Sequence, residues 1–258
     1  MTQKARPAVS VITALYNAEA FIGATIESVL SQGFSDWEMI IVDDCSTDDS
    51  AGVVAGYAAR DPRIVLLSLA ENSGAAVARN RAIELARGRY LAFLDSDDRW
   101  HPDKLQKQLA FMQDNSYAFT HTWYERQDET GRSLGGVVRP PAVLGYRDLL
   151  KTNFIACLTV IYDTDRLGKV FMPLIRKRQD YGLWLKILKM GEKARVLPEN
   201  LAVYRVRPGS ISGNKLEMVR FNWALYHGIE GFGLLRSAYY VCWNILYKLR
   251  SSLVSAQP

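Results

Sequence analysis

Four consecutive polar residues near the middle of the chain, Asp95-Ser96-Asp97-Asp98, place three carboxylates together. Alternate side chains of such a turn can converge on a hard divalent cation, which takes oxygen ligands and keeps coordination sites for phosphate oxygens. The tetrad follows Arg89 and an unbroken apolar run, Tyr90-Leu91-Ala92-Phe93-Leu94. A run of that length reads as a strand covered on both faces, as in a parallel α/β sheet. Carboxylates at its carboxyl end then stand in the crevice where open α/β sheets bind ligands. A helix cap at Ser96 or Asp98, ahead of Pro102, would account for one polar residue. It does not account for three carboxylates, whose repulsion is unfavourable unless a cation or hydrogen-bond donors offset it. The chemistry indicated is a metal-diphosphate site.

The elements that must position this tetrad follow from hydrophobic pattern. Ala8 to Thr13 reads as a first strand, followed by a turn at Tyr16-Asn17 and a helix whose apolar face is Ile22, Ile26, Val29 and Leu30, ended by Gly33. Trp37 to Val42 is a second strand, also stopped by carboxylates, Asp43-Asp44, before Ser46-Thr47-Asp48 opens another helix. A third strand over 64–69 and a third helix over 74–87, closed by Gly88, precede the strand that ends at Asp95. This alternation predicts an α/β fold with a Rossmann-like, mostly parallel sheet and helices on both faces. Further on, the pattern predicts a helix around Leu105, Leu109 and Met112, strands over 117–126 and 154–162, a helix over 180–190, and a strand pair over 194–197 and 201–206. The expected organisation is one domain with a mixed-sheet second half, residues 1–212, and a basic, aromatic, helical extension, residues 213–258.

Candidate binding groups recur at the same sheet edge. Tyr16 can stack on a base, and Asp43 or Asp44 can accept from a ring N–H or a ribose hydroxyl. Taken singly, each reads equally well as a turn or cap residue; their recurrence beside Asp95 gives them weight. Asn72-Ser73-Gly74, followed by Arg79-Asn80, adds a helix amino terminus that a diphosphate or ribose could approach. Gly74 also fits a tight turn. Asp180 opens a helix after Arg176-Lys177-Arg178-Gln179 and alone reads first as an amino-terminal cap. The helix terminus and the arginines are expected to keep it ionised.

Composition narrows the setting. The 258 residues suffice for one large α/β domain with an appendage. The three cysteines, Cys45, Cys157 and Cys242, are far apart and form no Cys-x-x-Cys pair, which argues against a disulfide framework or zinc cluster and fits a reducing cytoplasm. No apolar stretch like a signal peptide precedes the first strand, so export is not expected. The net charge of +5 resides wholly in the tail, where seven basic residues from Arg205 onward face two acidic ones, Glu217 and Glu230. Aromatic and aliphatic residues such as Trp223, Tyr239, Trp243 and Leu246 are interleaved with them. That mixture suits an anionic membrane surface better than nucleic acid. Packing against the protein's own domain, or against a second subunit in a homo-oligomer, is the equal alternative. The stretch 231–249 contains Arg236 and Lys248 and is short for a crossing, so it is expected to lie on the surface.

Four ordered motifs, Ser10-Val11-Ile12-Thr13-Ala14-Leu15-Tyr16-Asn17, Ile41-Val42-Asp43-Asp44-Cys45-Ser46-Thr47-Asp48, Asn72-Ser73-Gly74 through Arg79-Asn80, and Phe93-Leu94-Asp95-Ser96-Asp97-Asp98, together resemble the family 2 glycosyltransferases. The stretches around Asp180 and Tyr204-Arg205-Val206-Arg207 extend the likeness, which is nearest to bacterial enzymes of surface-polysaccharide assembly, including the teichuronic-acid type. The resemblance implies a GT-A fold and a metal-dependent, inverting transfer from a nucleotide-sugar, most often a UDP-sugar. It implies that the backbone at Ala14, the ring of Tyr16 and the carboxylate of Asp44 hold uridine, with Asn17, Asn72, Gly74 and Arg79 completing the nucleotide site. Asp95 is expected near ribose or diphosphate, and Asp97, then Asp98, as ligands to Mn²⁺ or Mg²⁺. Asp180 becomes the expected general base, a role compatible with capping. Arg207 stands where many members carry histidine; arginine cannot be a neutral metal ligand, so it is assigned to the diphosphate. The acceptor implied is a growing surface glycan or lipid-linked oligosaccharide at the inner face of the cytoplasmic membrane.

Rival classes fare less well. A dehalogenase-type phosphatase would carry its Asp-x-Asp on the first strand, no Gly-x-x-x-x-Gly-Lys-Ser/Thr is present, and a calcium loop would need a glycine and a terminal glutamate that are absent. The alternative retained is a non-catalytic nucleotide-sugar-binding subunit of a polysaccharide assembly complex, which would tolerate Asp180→Asn.

Overall fold

The computed structural model describes residues 6–207 and 215–254. Nine strands form one sheet: β1 (Val9–Leu15), β2 (Trp37–Asp43), β3 (Ile64–Ser68), β4 (Tyr90–Phe93), β5 (Arg99–Trp100), β6 (Phe119–Gln127), β7 (Val143–Leu144), β8 (Ile161–Asp163) and β9 (Ala194–Arg205). The helices are α1 (Glu19–Leu30), α2 (Ser50–Ala58), α3 (Ala75–Leu85), α4 (Lys104–Asp114), α5 (Tyr146–Leu149), α6 (Thr164–Leu167), α7 (Gln179–Lys189), α8 (Lys215–Trp223) and α9 (Leu234–Val254), with a π-helical stretch, Ala224–Ile229, following α8. The strand order is β3-β2-β1-β4-β8-β6-β9-β5, and β7 pairs with β9. The first four strands of that order are mutually parallel, as the β-α alternation requires, and β8 joins β4 antiparallel to begin the mixed half.

Every residue of β2 is buried, because helices cover both faces of the sheet. Successive side chains therefore enter different cores. Val11, Met39 and Ile41 pack with Ile22, Ile26 and Val29 of α1 and with Leu105 and Leu109 of α4. Ile12, Ile40 and Val42 pack with the alanines of α3 and, further along, with Trp184 and Leu188 of α7. The parallel strands β1, β2 and β4 thus end at one edge, which is where the candidate residues leave the sheet.

Two expected elements take a different form. Residues 154–162 make only a 3-10 turn, Cys157–Thr159, and the short β8. The backbone there is satisfied by side chains rather than by a ladder: Trp100 Nε1 donates to Leu158 O at 2.8 Å and Gln108 Nε2 to Thr159 O at 3.0 Å. The predicted strand pair is one strand, β9. Leu197 lies opposite Thr122 and Asn200 opposite Trp123, so Pro198 and Glu199 form a bulge in a continuous partner of β6. Proline lacks a ladder donor, which is why it sits at the irregularity.

The helical extension shares the main core. Leu225, Tyr226, Phe232 and Val241 join the apolar cluster that contains Tyr181 and Trp184. The Tyr226 hydroxyl donates to Leu150 O at 2.8 Å and lies 3.0 Å from the Tyr181 hydroxyl, and Asn222 bonds Asn244 between α8 and α9 at 3.0 Å. The expected boundary at 212/213 lies outside the described residues.

Gly88 carries the tightest backbone approach in the sheet. A Cβ there would stand 2.5 Å from Ser10 N and 2.7 Å from Val9 C, both in the central strand β1. Gly88→Ala is expected to lower stability by about 1–3 kcal/mol, the usual range for overpacking a core. Urea unfolding followed by circular dichroism should show a lower midpoint with an unchanged slope.

Candidate active site

Register fixes where the loops begin. Leu15 of β1 pairs with Asp43 of β2, and Ile12 with Phe93 of β4, so Tyr16, Asp44 and Asp95 emerge side by side. Tyr16 leaves its ring 47% exposed, available for stacking. Asn17 has a left-handed backbone, φ 46°, and its Oδ1 accepts from Thr47 N at 2.8 Å while its own N–H donates to Ser46 Oγ. It clamps the first loop to the second.

Asp44 is buried and takes up the amino terminus of α3. Its two oxygens accept from Ser73 N at 2.7 Å and Gly74 N at 2.8 Å, while Asn72 Nδ2 donates to Asp44 O at 2.9 Å. Gly74 holds φ 93°, which a side chain would strain. Asp44 thereby fixes the loop that leads into α3, and Asn72 and Gly74 hold Asp44 in place. An ionised carboxylate has about four acceptor sites, of which these bonds use two, so Asp44 keeps capacity for a ring N–H.

Arg79, one turn into α3, reaches across to Asp95 with Nη2–Oδ1 at 2.5 Å. Burial works against its charge, but Asp95, with a further contribution from Asp180, more than compensates and holds the guanidinium protonated. Its Nε is buried without a hydrogen-bond partner.

The tetrad divides its labour. Asp97 pairs with Arg207 Nε at 2.7 Å. Burial pushes the Asp97 carboxyl up, Asp95 adds to this, and Arg207 opposes it. Asp98 is 1% exposed and turns toward β9, accepting from Arg205 N at 2.8 Å. Its second oxygen is buried with no partner, and burial together with Asp97 and Asp95 pushes this carboxyl well above the ordinary range. Phe21, at the start of α1, lies beneath the Arg205 and Arg207 guanidinium groups, 4.7 and 4.9 Å from its ring centroid.

Arg79, Arg207 and Arg205 already face the three carboxylates, so the opening for a divalent cation is the second oxygen of Asp98, buried without a partner beside Asp97. Among the described residues no three His, Cys, Asp or Glu side chains form a ready metal cage. The donor set suits a cation of the Mg²⁺ type, held by one or two carboxylates and completed by substrate phosphates. Of the two candidate ligands, Asp97 is the more accessible and Asp98 is buried.

Asp180 is the second residue of α7; the N-cap position belongs to Arg178, held left-handed at φ 68°. Asp180 therefore does not occupy the capping position. Burial pushes its carboxyl up, against the Tyr181 N–H and the charges of Arg79 and Arg178 that lower it, while Asp95 raises it further. The two arginines expected to favour the ionised form act in that direction but do not cancel the effect of burial. The same interactions place Asp180 within electrostatic reach of the Arg79–Asp95 pair. Behind this group lies Cys157, whose thiol is pushed well above its usual range by burial and by Asp95. It stays protonated and serves as wall.

Phe21 and Cys157 stand at this cluster without having been singled out from sequence, and Arg178 was read only as one of the charges before Asp180. Phe21 could have been noted as an aromatic one turn beyond Tyr16. The left-handed Arg178 carries no composition signal.

The family model for Glycosyl transferase family 2 matches residues 10–159, more than half of the chain and all four motif loops. The chain belongs to glycosyltransferase family 2. It is 47% identical over 234 residues to the putative teichuronic acid biosynthesis glycosyltransferase TuaG of Bacillus subtilis, covering 91% of this chain and 93% of the relative. It is 42% identical over 214 residues to the Escherichia coli UDP-Glc:alpha-D-GlcNAc-diphosphoundecaprenol beta-1,3-glucosyltransferase WfaP, covering 82% and 83%. Among solved structures, Staphylococcus aureus TarS 1–349 in complex with UDP-GlcNAc superposes with a TM-score of 0.69 at 21% identity over 92% of this chain and 71% of that one. The Pyrobaculum calidifontis mannosyltransferase PcManGT, in complex with GDP-Man and Mn²⁺, gives 0.66 at 20% identity, covering 98% and 77%. The fold of this family 2 glycosyltransferase is accordingly GT-A, and the protein is a glycosyl-transferring enzyme.

Proposed function

We propose that this glycosyltransferase moves a sugar from a UDP-sugar to a hydroxyl of a lipid-linked or surface glycan, in one displacement that inverts the anomeric carbon. The observation that carries this reading is the convergence of Asp180 with the Arg79–Asp95 pair at the sheet edge that also bears Tyr16 and Asp97. Asp180 takes the proton of the acceptor hydroxyl as the acceptor oxygen bonds to the anomeric carbon and the bond from that carbon to the UDP oxygen breaks. Tyr16 stacks on uracil, the backbone at Ala14 lines the base, and Asp44 accepts a ring N–H. Asp95 orients Arg79 toward ribose and diphosphate. A Mn²⁺ or Mg²⁺ ion held by Asp97 and Asp98 would neutralise charge on the departing diphosphate. The donor and acceptor classes in WfaP's name support UDP and a lipid-diphosphate-linked acceptor. Such an acceptor would place the enzyme peripherally at a membrane surface.

The Asp97–Arg207 pair gives Arg207 a definite part. In the pair it competes with a metal for Asp97; a bound diphosphate offers it another anion. Arg207→Ala is expected to tighten binding of Mn²⁺ alone and to weaken binding of UDP alone, each by on the order of tenfold, equivalent to about 1.4 kcal/mol. Calorimetric titrations of Mn²⁺ and of metal-free UDP check both directions.

A donor-hydrolysis screen tests the activity: a panel of nucleotide-sugars with Mn²⁺, no acceptor, and release of UDP or GDP followed. Release from a UDP-sugar is expected. No release from any donor, together with no metal-dependent UDP binding, would overturn the reading; UDP binding with an Asp180→Asn variant as functional as the wild type would favour the binding-only subunit.

A further inference from the structure

α9 turns an apolar face outward. Leu235, Tyr239, Trp243 and Leu246 recur at three- and four-residue spacing on the side opposite Ser237, Val241 and Asn244, which are buried against the domain. Leu235 is 90% and Leu246 63% exposed. A surface helix of a globular protein normally puts charged and polar residues there, and a contiguous apolar stripe marks an interaction surface.

The chemistry around the stripe identifies its occupant. From Gly231 to Pro258 the sequence holds no acidic residue and three basic ones, Arg236, Lys248 and Arg250. The Arg236 guanidinium lies over Phe232 at 3.8 Å, and the Lys151 ammonium lies 5.8 Å from the Trp243 ring. The two acidic residues of the preceding helical segment are paired with lysines of the domain: buried Glu230 with Lys189 at 2.7 Å and Glu217 with Lys177 at 2.6 Å. Aliphatic and aromatic residues flanked by uncompensated basic charge match the headgroup layer of an anionic bilayer. Among the described residues no helix is long and apolar enough to cross a membrane, which favours lying in the surface plane. A second copy docked by a two-fold contact through the same face would bring like basic charges together.

We infer that the outward face of α9 docks the enzyme on an anionic lipid surface, with Leu235, Tyr239, Trp243 and Leu246 entering the headgroup region. The surface is coupled to the site. Val241 belongs to the same apolar cluster as Trp184, and Tyr226 joins Tyr181 one residue from Asp180, so the docked helix fixes the orientation of α7 relative to the bilayer. Docking itself stands apart from the reaction; its use, presenting the site to a lipid-linked acceptor, rests on the proposed activity.

The test is flotation of the full chain with phosphatidylcholine vesicles, with and without phosphatidylglycerol, comparing wild type with a Leu235→Glu/Leu246→Glu variant. Wild type is expected to partition to the phosphatidylglycerol vesicles and to be released by salt. The variant should bind on the order of tenfold or more weakly, because two exposed leucines no longer enter the apolar layer, while its melting temperature and donor hydrolysis stay unchanged. Wild-type protein that ignores the anionic vesicles, or a variant that binds them equally, overturns the inference. A dimer that dissociates in the variant, without vesicle binding in wild type, overturns it too and gives the face to a second copy. Vesicle binding without UDP binding would sink the proposed reaction and leave the docking intact.

Discussion

Replacing Asp180 by asparagine should lower kcat by about 10²–10⁴-fold, the usual contribution of a positioned general base, with metal-supported UDP affinity within about threefold of wild type. Steady-state kinetics with acceptor and calorimetry with UDP separate the two effects. Burial raises the Asp180 carboxyl, and a base acts only when ionised. Activity should therefore fall as pH drops through a value above that of an ordinary aspartate. Arg79 and Arg178 oppose that rise, so removing either charge should move the acid limb upward. Stability runs the other way. A carboxyl whose folded-state pKa is raised binds more protons in the folded chain than in the unfolded one, so its contribution to stability is lost as pH rises from its unfolded value through its folded value. At neutral pH Asp180→Asn should leave the melting temperature equal to or above wild type. A residue kept ionised in a buried place at a cost in stability is a candidate for the base that the proposed reaction needs.

The sheet edge was legible because parallel strands buried on both faces appear as apolar runs with abrupt polar ends; Leu94-Asp95 and Val42-Asp43 are two such boundaries. What pattern could not supply was which way each polar group faces. Asp44, Asn72 and Gly74 were read as three groups for a nucleotide; the structure adds that Asn72 and Gly74 both bond to Asp44, a tie that pattern could not show. Residues 154–162 carry strand-like composition, but side chains 51 to 58 positions away in sequence, Gln108 and Trp100, satisfy their backbone. β9 was split at Pro198 because proline argues against a strand; the bulge that accommodates it depends on register with β6. The tail was legible as amphipathic and basic, while its division into a face packed on α7 and a face turned outward required the fold.

Asp97→Ala should remove the enhancement of UDP binding by Mn²⁺ and reduce turnover by on the order of 10³-fold, since the cation's stabilisation of a departing diphosphate is worth several kcal/mol. Thermal shift with Mn²⁺, with UDP and with both checks the binding half, because a ligand selective for the folded state raises the melting temperature by an amount that grows with the logarithm of its concentration over Kd. Arg207 makes the result more specific. With Asp97 gone, its guanidinium loses the carboxylate 2.7 Å away and remains over Phe21 beside Arg205. Two cations without that carboxylate attract an anion more strongly. Metal-free UDP should consequently bind Asp97→Ala more tightly than wild type, although the variant has lost metal-supported turnover. The Asp97→Ala/Arg207→Ala double variant should lose that gain as well. A single variant in which UDP binding weakens equally with and without Mn²⁺ would instead make Asp97 a structural support of the nucleotide pocket, and would move the metal role to Asp98.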